Sequence, residues 1–141
     1  LEEAQMLCTA LWHVAPTYAE ACNLYKPVHQ KHPCTLWAME SHKNYKFAFR
    51  LYHHMLEEYT RRYGRVHGAK KHYNSLLNGI PLIPEGQITQ HPQCFSGLDE
   101  LKTDEFYPIK AYRAFYNVDK ARFARYKYTD RPTWFKEVTY Q

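Results

Sequence analysis

Six large side chains recur between residues 45 and 63 at the spacing of an amphipathic α-helix. They are 4, 3, 4, 3 and 4 residues apart: Tyr45, Phe49, Tyr52, Leu56, Tyr59 and Tyr63. Side chains at this spacing form one continuous stripe. The pattern therefore predicts a central core helix that starts near Asn44 and ends at Gly64. A metal or cofactor box is the alternative interpretation of so many rings, and the periodicity favours core packing.

The flanking segments also predict helices. Apolar residues from Ala4 to Val14 indicate a first helix that ends at Pro16. Pro33 is typical of a first helical turn, so a short helix is expected from there to about Ser41. Residues 68–77 predict one more short helix.

Two stretches are expected to be irregular: residues 18–32, with one turn at 19–21, and the proline- and glycine-rich residues 78–97. The last helix is predicted to open around Thr103–Pro108, to run to Asn117 and to resume over residues 119–126. We find no convincing strand pairing, so the expected fold is all-α. It is a compact single-domain helical bundle over residues 1–141, with a long irregular loop and an aromatic C-terminal tail.

Composition excludes several classes of protein. With 45% hydrophobic and 16% aromatic residues in 141, a disordered chain is excluded. The mean hydropathy is −0.69 and no apolar run approaches about 18 residues, so we expect no membrane partner. Four cysteines without a CxxC pair are typical of reduced thiols in a cytoplasmic protein. Because the chain begins with Leu1 inside a helical pattern, we expect native residues to precede it.

Positive charge is concentrated near the carboxyl end. Residues 110–136 hold eight basic and two acidic side chains, and eight minus two gives +6, against +5 for the whole chain. Eight aromatic residues are interleaved with them. Cations bind phosphates and flat rings stack on bases, so this pattern favours nucleic-acid binding. The alternative is an amphipathic helix with core aromatics and solvated cations. The candidate contacts are Arg122, Arg125, Lys127, Arg131, Trp134 and Lys136.

The loop before the second helix is a further candidate for phosphate binding. It offers Lys26, His29, Lys31 and His32 next to a helix start, where unpaired amides carry partial positive charge. The alternative is a solvated loop. His29 and His32 form an HxxH pair without further ligands at a zinc-like spacing, so no metal site and no cofactor are expected. Cys34 is either a reactive thiol or a small buried apolar residue.

Glu2 is the candidate catalytic carboxylate. It lies at the start of the first predicted helix, where general acid–base chemistry could use it. The alternative is favourable interaction of an acidic residue with the helix dipole.

The segment KYTDRPTWFK, Lys127 to Lys136, resembles the C-terminal tail of the phage pyrimidine-dimer DNA glycosylases of the endonuclease V type. Those enzymes end in a basic helix followed by an RPTWYK tail, and Phe135 replaces the tyrosine here. The stretches at residues 1–10, 25–37 and 57–67 look like those of uncharacterised phage and marine proteins of the same group. The resemblance implies a small all-α DNA repair enzyme of a phage-infected bacterial cell.

The resemblance also implies a mechanism. Such enzymes flip a base out of double-stranded DNA, attack the sugar C1′ with an amine and form a Schiff base that leads to strand cleavage. The family's glutamate lies in an RELPR-like motif on the first helix, which has no counterpart here; Glu2 is the candidate by its position on the first predicted helix only. The leading hypothesis is a DNA glycosylase or AP lyase relative. The alternatives are a non-catalytic DNA- or RNA-binding protein and a structural, virion-associated helical protein.

Overall fold

The structure, a computed structural model, describes residues 1–135. Six α-helices occur in this range: α1 (Glu2–Val14), α2 (Pro16–Ala21), α3 (Pro33–Glu40), α4 (His42–Tyr63), α5 (Tyr73–Asn78) and α6 (Ile109–Phe115). Short 3₁₀ turns cover Gly68–His72, Ile80–Leu82 and Asp99–Leu101, and a π-helical turn covers Tyr116–Lys120. The described residues contain no strand. The all-α prediction is confirmed.

The chain divides into two units of dense internal packing. The first unit is Leu1–Thr89 and contains α1 to α5, and the second begins at Gln90 and contains α6. The expectation of a single domain over residues 1–141 stays a prediction. The tail residues after Phe135, Lys136 among them, lie outside the described residues.

The long helix α4 follows the aromatic stripe. Its first half buries Tyr45, Phe49 and Tyr52 in the core of the first unit, whereas Tyr63 is 55% exposed at the other end. Gly64 ends the helix with a left-handed φ of 64°, a conformation in which glycine has no Cβ penalty. The predicted core helix is therefore confirmed, with its buried face limited to about three turns.

Tyrosine hydroxyls join the helices of the first unit to the segment 69–76. Tyr45 donates to the Leu76 carbonyl at 2.7 Å, Tyr52 to the Ala69 carbonyl at 2.6 Å and Tyr18 to the Ser75 carbonyl at 2.6 Å. Buried tyrosine needs such a partner for its hydroxyl. Burial raises the pKa of Tyr18 to about 12 and that of Tyr45 well above its usual range. These tyrosines stay neutral hydrogen-bond donors at physiological pH.

A second set of hydrogen bonds fixes residues 84–89, which we call the strap, across the start of α4. The buried side chain of Asn44 donates to the Trp37 carbonyl and to Thr89 Oγ1, and it accepts from the Thr89 amide, each at 2.9 Å. Ser41 Oγ donates to the Gln87 carbonyl at 2.9 Å. These hydrogen bonds therefore attach the strap, in the middle of the predicted irregular stretch 78–97, to the rest of the first unit.

Two secondary-structure predictions were wrong. Residues 16–21 form α2 instead of a loop with one turn, because Pro16, whose missing N–H costs nothing at a first helical position, starts a helix as well as ending one. Helix α6 begins only at Ile109, after Pro108, and no helix resumes over residues 121–126. There Tyr126 packs against Phe135 while Phe123 is exposed, so the two rings do not follow one helical stripe.

Candidate nucleic-acid interface

The basic aromatic segment, residues 110–135 of the second unit, exposes most of its cations. Arg122, Arg125 and Lys127 are all exposed. The carboxylate of Asp119 lies 3.0 Å from Lys120 Nζ and 3.9 Å from the Arg122 guanidinium. Within residues 1–135, Arg125 and Lys127 form no ion pair with a carboxylate, so both present their charge to solvent.

Two aromatic rings lie open among these cations. Phe123 is 56% exposed and Tyr128 is 62% exposed. The ammonium of Lys127 lies 5.2 Å from the Tyr128 ring centre, and the Arg122 guanidinium lies 5.6 Å from the Phe123 ring centre. A cation over a ring is attracted by its π-face. The sequence 122–128 therefore presents alternating charge and ring to solvent.

The other rings of the segment hold its shape. Phe135 is 6% exposed and packs against Tyr116 and Tyr126, whose two hydroxyls lie 2.9 Å apart. Trp134 is half-buried, its ring faces the Arg113 guanidinium at 5.3 Å, and its carbonyl accepts from the Asn117 side chain at 3.2 Å. The RPTW turn is thus folded back on the end of α6 and the π-helical turn.

A groove of about 700 Å³ lies within the second unit. Its lining includes Phe95, Phe115, Val118 and Lys120. The rings of Phe95 and Phe115 are stacked, with centres 4.6 Å apart and planes 17° from parallel. Lys120 Nζ lies 5.5 Å from the Phe115 ring centre and 5.4 Å from that of Phe123. The groove therefore combines flat apolar walls with a cation that also faces an exposed ring.

The amino end of α6 offers no open anion site. The Glu105 carboxylate accepts from the Thr103 hydroxyl at 2.7 Å and from the Lys110 amide at 3.5 Å. Hydrogen bonding from Thr103, and then from the Lys110 and Ala111 amides, lowers the pKa of Glu105. The binding chemistry of the second unit therefore lies in its side chains.

The candidate loop of the first unit, residues 26–32, is largely exposed, and its last residue, His32, caps α3. Lys26, His29 and Lys31 are exposed, and Lys26 Nζ lies 5.0 Å from the Trp12 ring centre. His32 Nδ1 accepts from the Cys34 amide at 3.0 Å. One of the amides that a phosphate would use is therefore already satisfied. Lys26, His29 and Lys31 remain the candidate contacts of this loop.

Glu2 is exposed in the first turn of α1. Among the described residues it makes no hydrogen bond or ion pair through its side chain. A catalytic carboxylate normally needs a partner that orients it. Its catalytic role stays a prediction. Cys34, the other candidate for reactivity, is a half-buried cysteine.

No protein-family model, curated protein or solved structure matches this chain. No helix within residues 1–135 is long and apolar enough to cross a bilayer. The resemblance of the tail to the phage glycosylases therefore stays a prediction.

Phe123 and Tyr128 are functional candidates that sequence reasoning did not select. Both were visible as rings between cations, but so was Phe135, which is buried. A basic neighbour in the sequence does not distinguish the exposed rings, because the buried Phe135 also has one; only packing separates them. Arg131 and Trp134, by contrast, were selected from the RPTW motif. Arg131 lies 6.0 Å from the buried Phe135 ring, and Trp134 from that motif is half-buried.

Proposed function

We propose that the protein binds nucleic acid through residues 122–128 of its second unit and prefers strands whose bases are accessible. The observation that carries the proposal is the alternation of exposed cations with exposed rings: Arg122, Phe123, Arg125, Lys127 and Tyr128. Seven residues, fully extended, reach at most about 23–25 Å, the length of about seven phosphates on one DNA strand. Several phosphates and two bases fit within that reach.

The exposed rings are the reason to expect a preference for distorted DNA. A ring on a protein surface stacks on a base only when that base has left the duplex stack or lies in a single strand. Unstacking costs least at a damaged or mismatched base. The proposed partner is therefore double-stranded DNA with a local lesion. Single-stranded DNA is expected to bind less tightly, and intact duplex least tightly.

The tail resemblance supports a repair reaction at such a lesion. In that reaction an amine attacks the sugar C1′, the base leaves and the sugar ring opens at O4′ to give a Schiff base; at an abasic site the C1′ hydroxyl leaves as water instead of the base. Loss of the C2′ proton and β-elimination of the 3′ phosphate then break the strand. Glu2 is the proposed carboxylate, and Lys26, His29 and Lys31 are proposed phosphate contacts. Non-catalytic binding of nucleic acid is the alternative, which rests on the exposed cations and rings alone.

Fluorescence anisotropy on matched labelled oligonucleotides tests the binding. The same sequence is supplied as intact duplex, as duplex with one abasic site, as duplex with one pyrimidine dimer and as a single strand. Phe123→Ala and Tyr128→Ala are expected to remove most of the preference for the damaged duplex, because base stacking contributes about 1–3 kcal/mol per ring. Lys46→Ala, which removes an exposed cation from α4, is the control and keeps the preference. Equal affinity of all proteins for all four ligands refutes the proposal.

Borohydride trapping on the abasic duplex tests the chemistry separately. A covalent adduct supports the lyase reaction, and its loss in Glu2→Gln with unchanged binding supports the role of that carboxylate. Binding that prefers the lesion without an adduct, measured on the full-length native protein, decides for the non-catalytic alternative.

A further inference from the structure

Three metal-ligating side chains converge on the solvent side of α4, in the first unit. His53 Nε2 lies 2.9 Å from Glu57 Oε1, and His54 Nδ1 lies 3.7 Å from Glu57 Oε2. One ligand atom from each residue lies within 4.8 Å of the other two. We propose that His53, His54 and Glu57 form a binding site for a divalent transition metal such as Zn²⁺.

The spacing of the ligand atoms fits a zinc ion. Zinc bonds of about 2.0–2.1 Å in tetrahedral geometry place neighbouring ligand atoms about 3.3 Å apart. The 2.9 Å separation joins His53 to Oε1 of Glu57 and the 3.7 Å separation joins His54 to Oε2, so the two histidines face different oxygens of one carboxylate. Because one ligand atom from each residue lies within 4.8 Å of the other two, rotation of the exposed His54 and Glu57 side chains would bring the three atoms to a common ion.

The hydroxyl group of Tyr73 orients the imidazole ring of His53. Its oxygen lies 2.8 Å from His53 Nδ1, the nitrogen opposite the one that faces Glu57. Metal-bound histidines ordinarily use their second nitrogen in this way, which fixes both the tautomer and the ring orientation. The Tyr73 ring is held in turn by the buried rings of Phe49 and Tyr52, at centre distances of 5.1 and 6.0 Å. His53 is thus attached to the core through Tyr73.

Within residues 1–135, the carboxylate of Glu57 forms no ion pair with an arginine or a lysine. The neighbouring Glu58 accepts from Arg61 at 2.8 Å and from Arg62 at 2.9 Å. Glu57 has only the two histidines as ion-pair partners within residues 1–135. A metal ion would therefore replace histidine–carboxylate contacts without breaking an arginine pair.

The donor set indicates the class of metal. Two imidazole nitrogens and one carboxylate oxygen suit Zn²⁺, Co²⁺, Ni²⁺ and Cu²⁺, whereas Mg²⁺ and Ca²⁺ prefer oxygen ligands alone. Three protein ligands leave a fourth position of a tetrahedral ion open to water. His54 is 71% exposed, so that position faces solvent.

Competition for Zn²⁺ against a chromophoric chelator, with the cysteines kept reduced, tests the site on the full chain. The wild-type protein is expected to bind Zn²⁺ saturably, and His54→Ala and Glu57→Gln are expected to lower the affinity at least tenfold. Tyr73→Phe, which leaves the three ligands in place, is expected to lower it about 10–100-fold. His13→Ala, which removes an exposed histidine at the end of α1, should leave the affinity of this site unchanged.

Circular dichroism of each variant shows whether the fold is retained, and His54 is exposed enough that its replacement should not disturb α4. Zn²⁺ affinity that is the same in wild type, His54→Ala and Glu57→Gln overturns the proposal. The absence of saturable binding at micromolar Zn²⁺ overturns it as well.

Discussion

Replacing Asn44 with alanine tests how the strap is held to the first unit. The side chain is fully buried and makes three hydrogen bonds, to the Trp37 carbonyl and to the amide and hydroxyl of Thr89. Each such bond contributes about 1 kcal/mol net. Asn44→Ala is therefore expected to lower the free energy of unfolding by about 3 kcal/mol, because three buried or partly buried hydrogen bonds to Trp37 and Thr89 are lost together.

Urea unfolding followed by tryptophan fluorescence measures this loss, since Trp37 Nε1 donates to the Thr89 carbonyl at 3.2 Å and reports the strap directly. Asn74→Ala on α5 is the matched control, because Asn74 is exposed. The control is expected to change stability by less than about 0.5 kcal/mol. If Asn44→Ala is no more destabilising than Asn74→Ala, the strap does not depend on this side chain and the reasoning fails.

Three further predictions concern the same unit. Gly79→Ala should destabilise by about 1–3 kcal/mol, since the added Cβ would lie 2.6 Å from a methyl of the buried Leu11; Gly68→Ala, with no atom within 4 Å of its Cβ, is the control in thermal unfolding. Burial lowers the pKa of His72, so on acidification the imidazole is protonated in the unfolded chain before it is protonated in the folded one. The free energy of unfolding is therefore expected to fall as pH drops below about 6.5. Urea unfolding from pH 8 to 5 should show a smaller decrease for His72→Gln than for wild type, and an equal decrease contradicts the prediction. Burial raises the pKa of the Cys8 thiol to about 11, so mass spectrometry after brief alkylation should find the other three cysteines labelled first; equal labelling of Cys8 would show that it is accessible.

The sequence predicted the elements whose cause is local. The 4–3 spacing of rings from Tyr45 to Tyr63 specifies a helical stripe whatever surrounds it, and Gly64 supplies the left-handed end. Pro33 likewise started α3 with His32 as its cap. Helix α2 does not follow from sequence alone because a proline at position 16 is equally compatible with the end of α1 and with the first position of a new helix.

What the sequence did not show depends on contacts between distant residues. The role of Asn44 requires Thr89, 45 residues later, and the orientation of His53 requires Tyr73, 20 residues later. Neither contact can be predicted from the spacing of residues along the sequence. The exposure of the C-terminal rings follows from packing as well: Phe123 is open and Phe135 is buried, although each has a basic neighbour in the sequence.

The salt dependence of DNA binding tests the central claim, that exposed cations of residues 122–128 bind phosphates, most directly. The apparent dissociation constant for the abasic duplex is measured at a series of salt concentrations for wild type and for the Arg125→Ala, Lys127→Ala double variant. Each lost phosphate contact lowers the slope of log K against log salt by about 0.9. The double variant should therefore show a slope smaller by about 1.8. A slope identical to that of wild type would contradict the assignment of the interface to this segment.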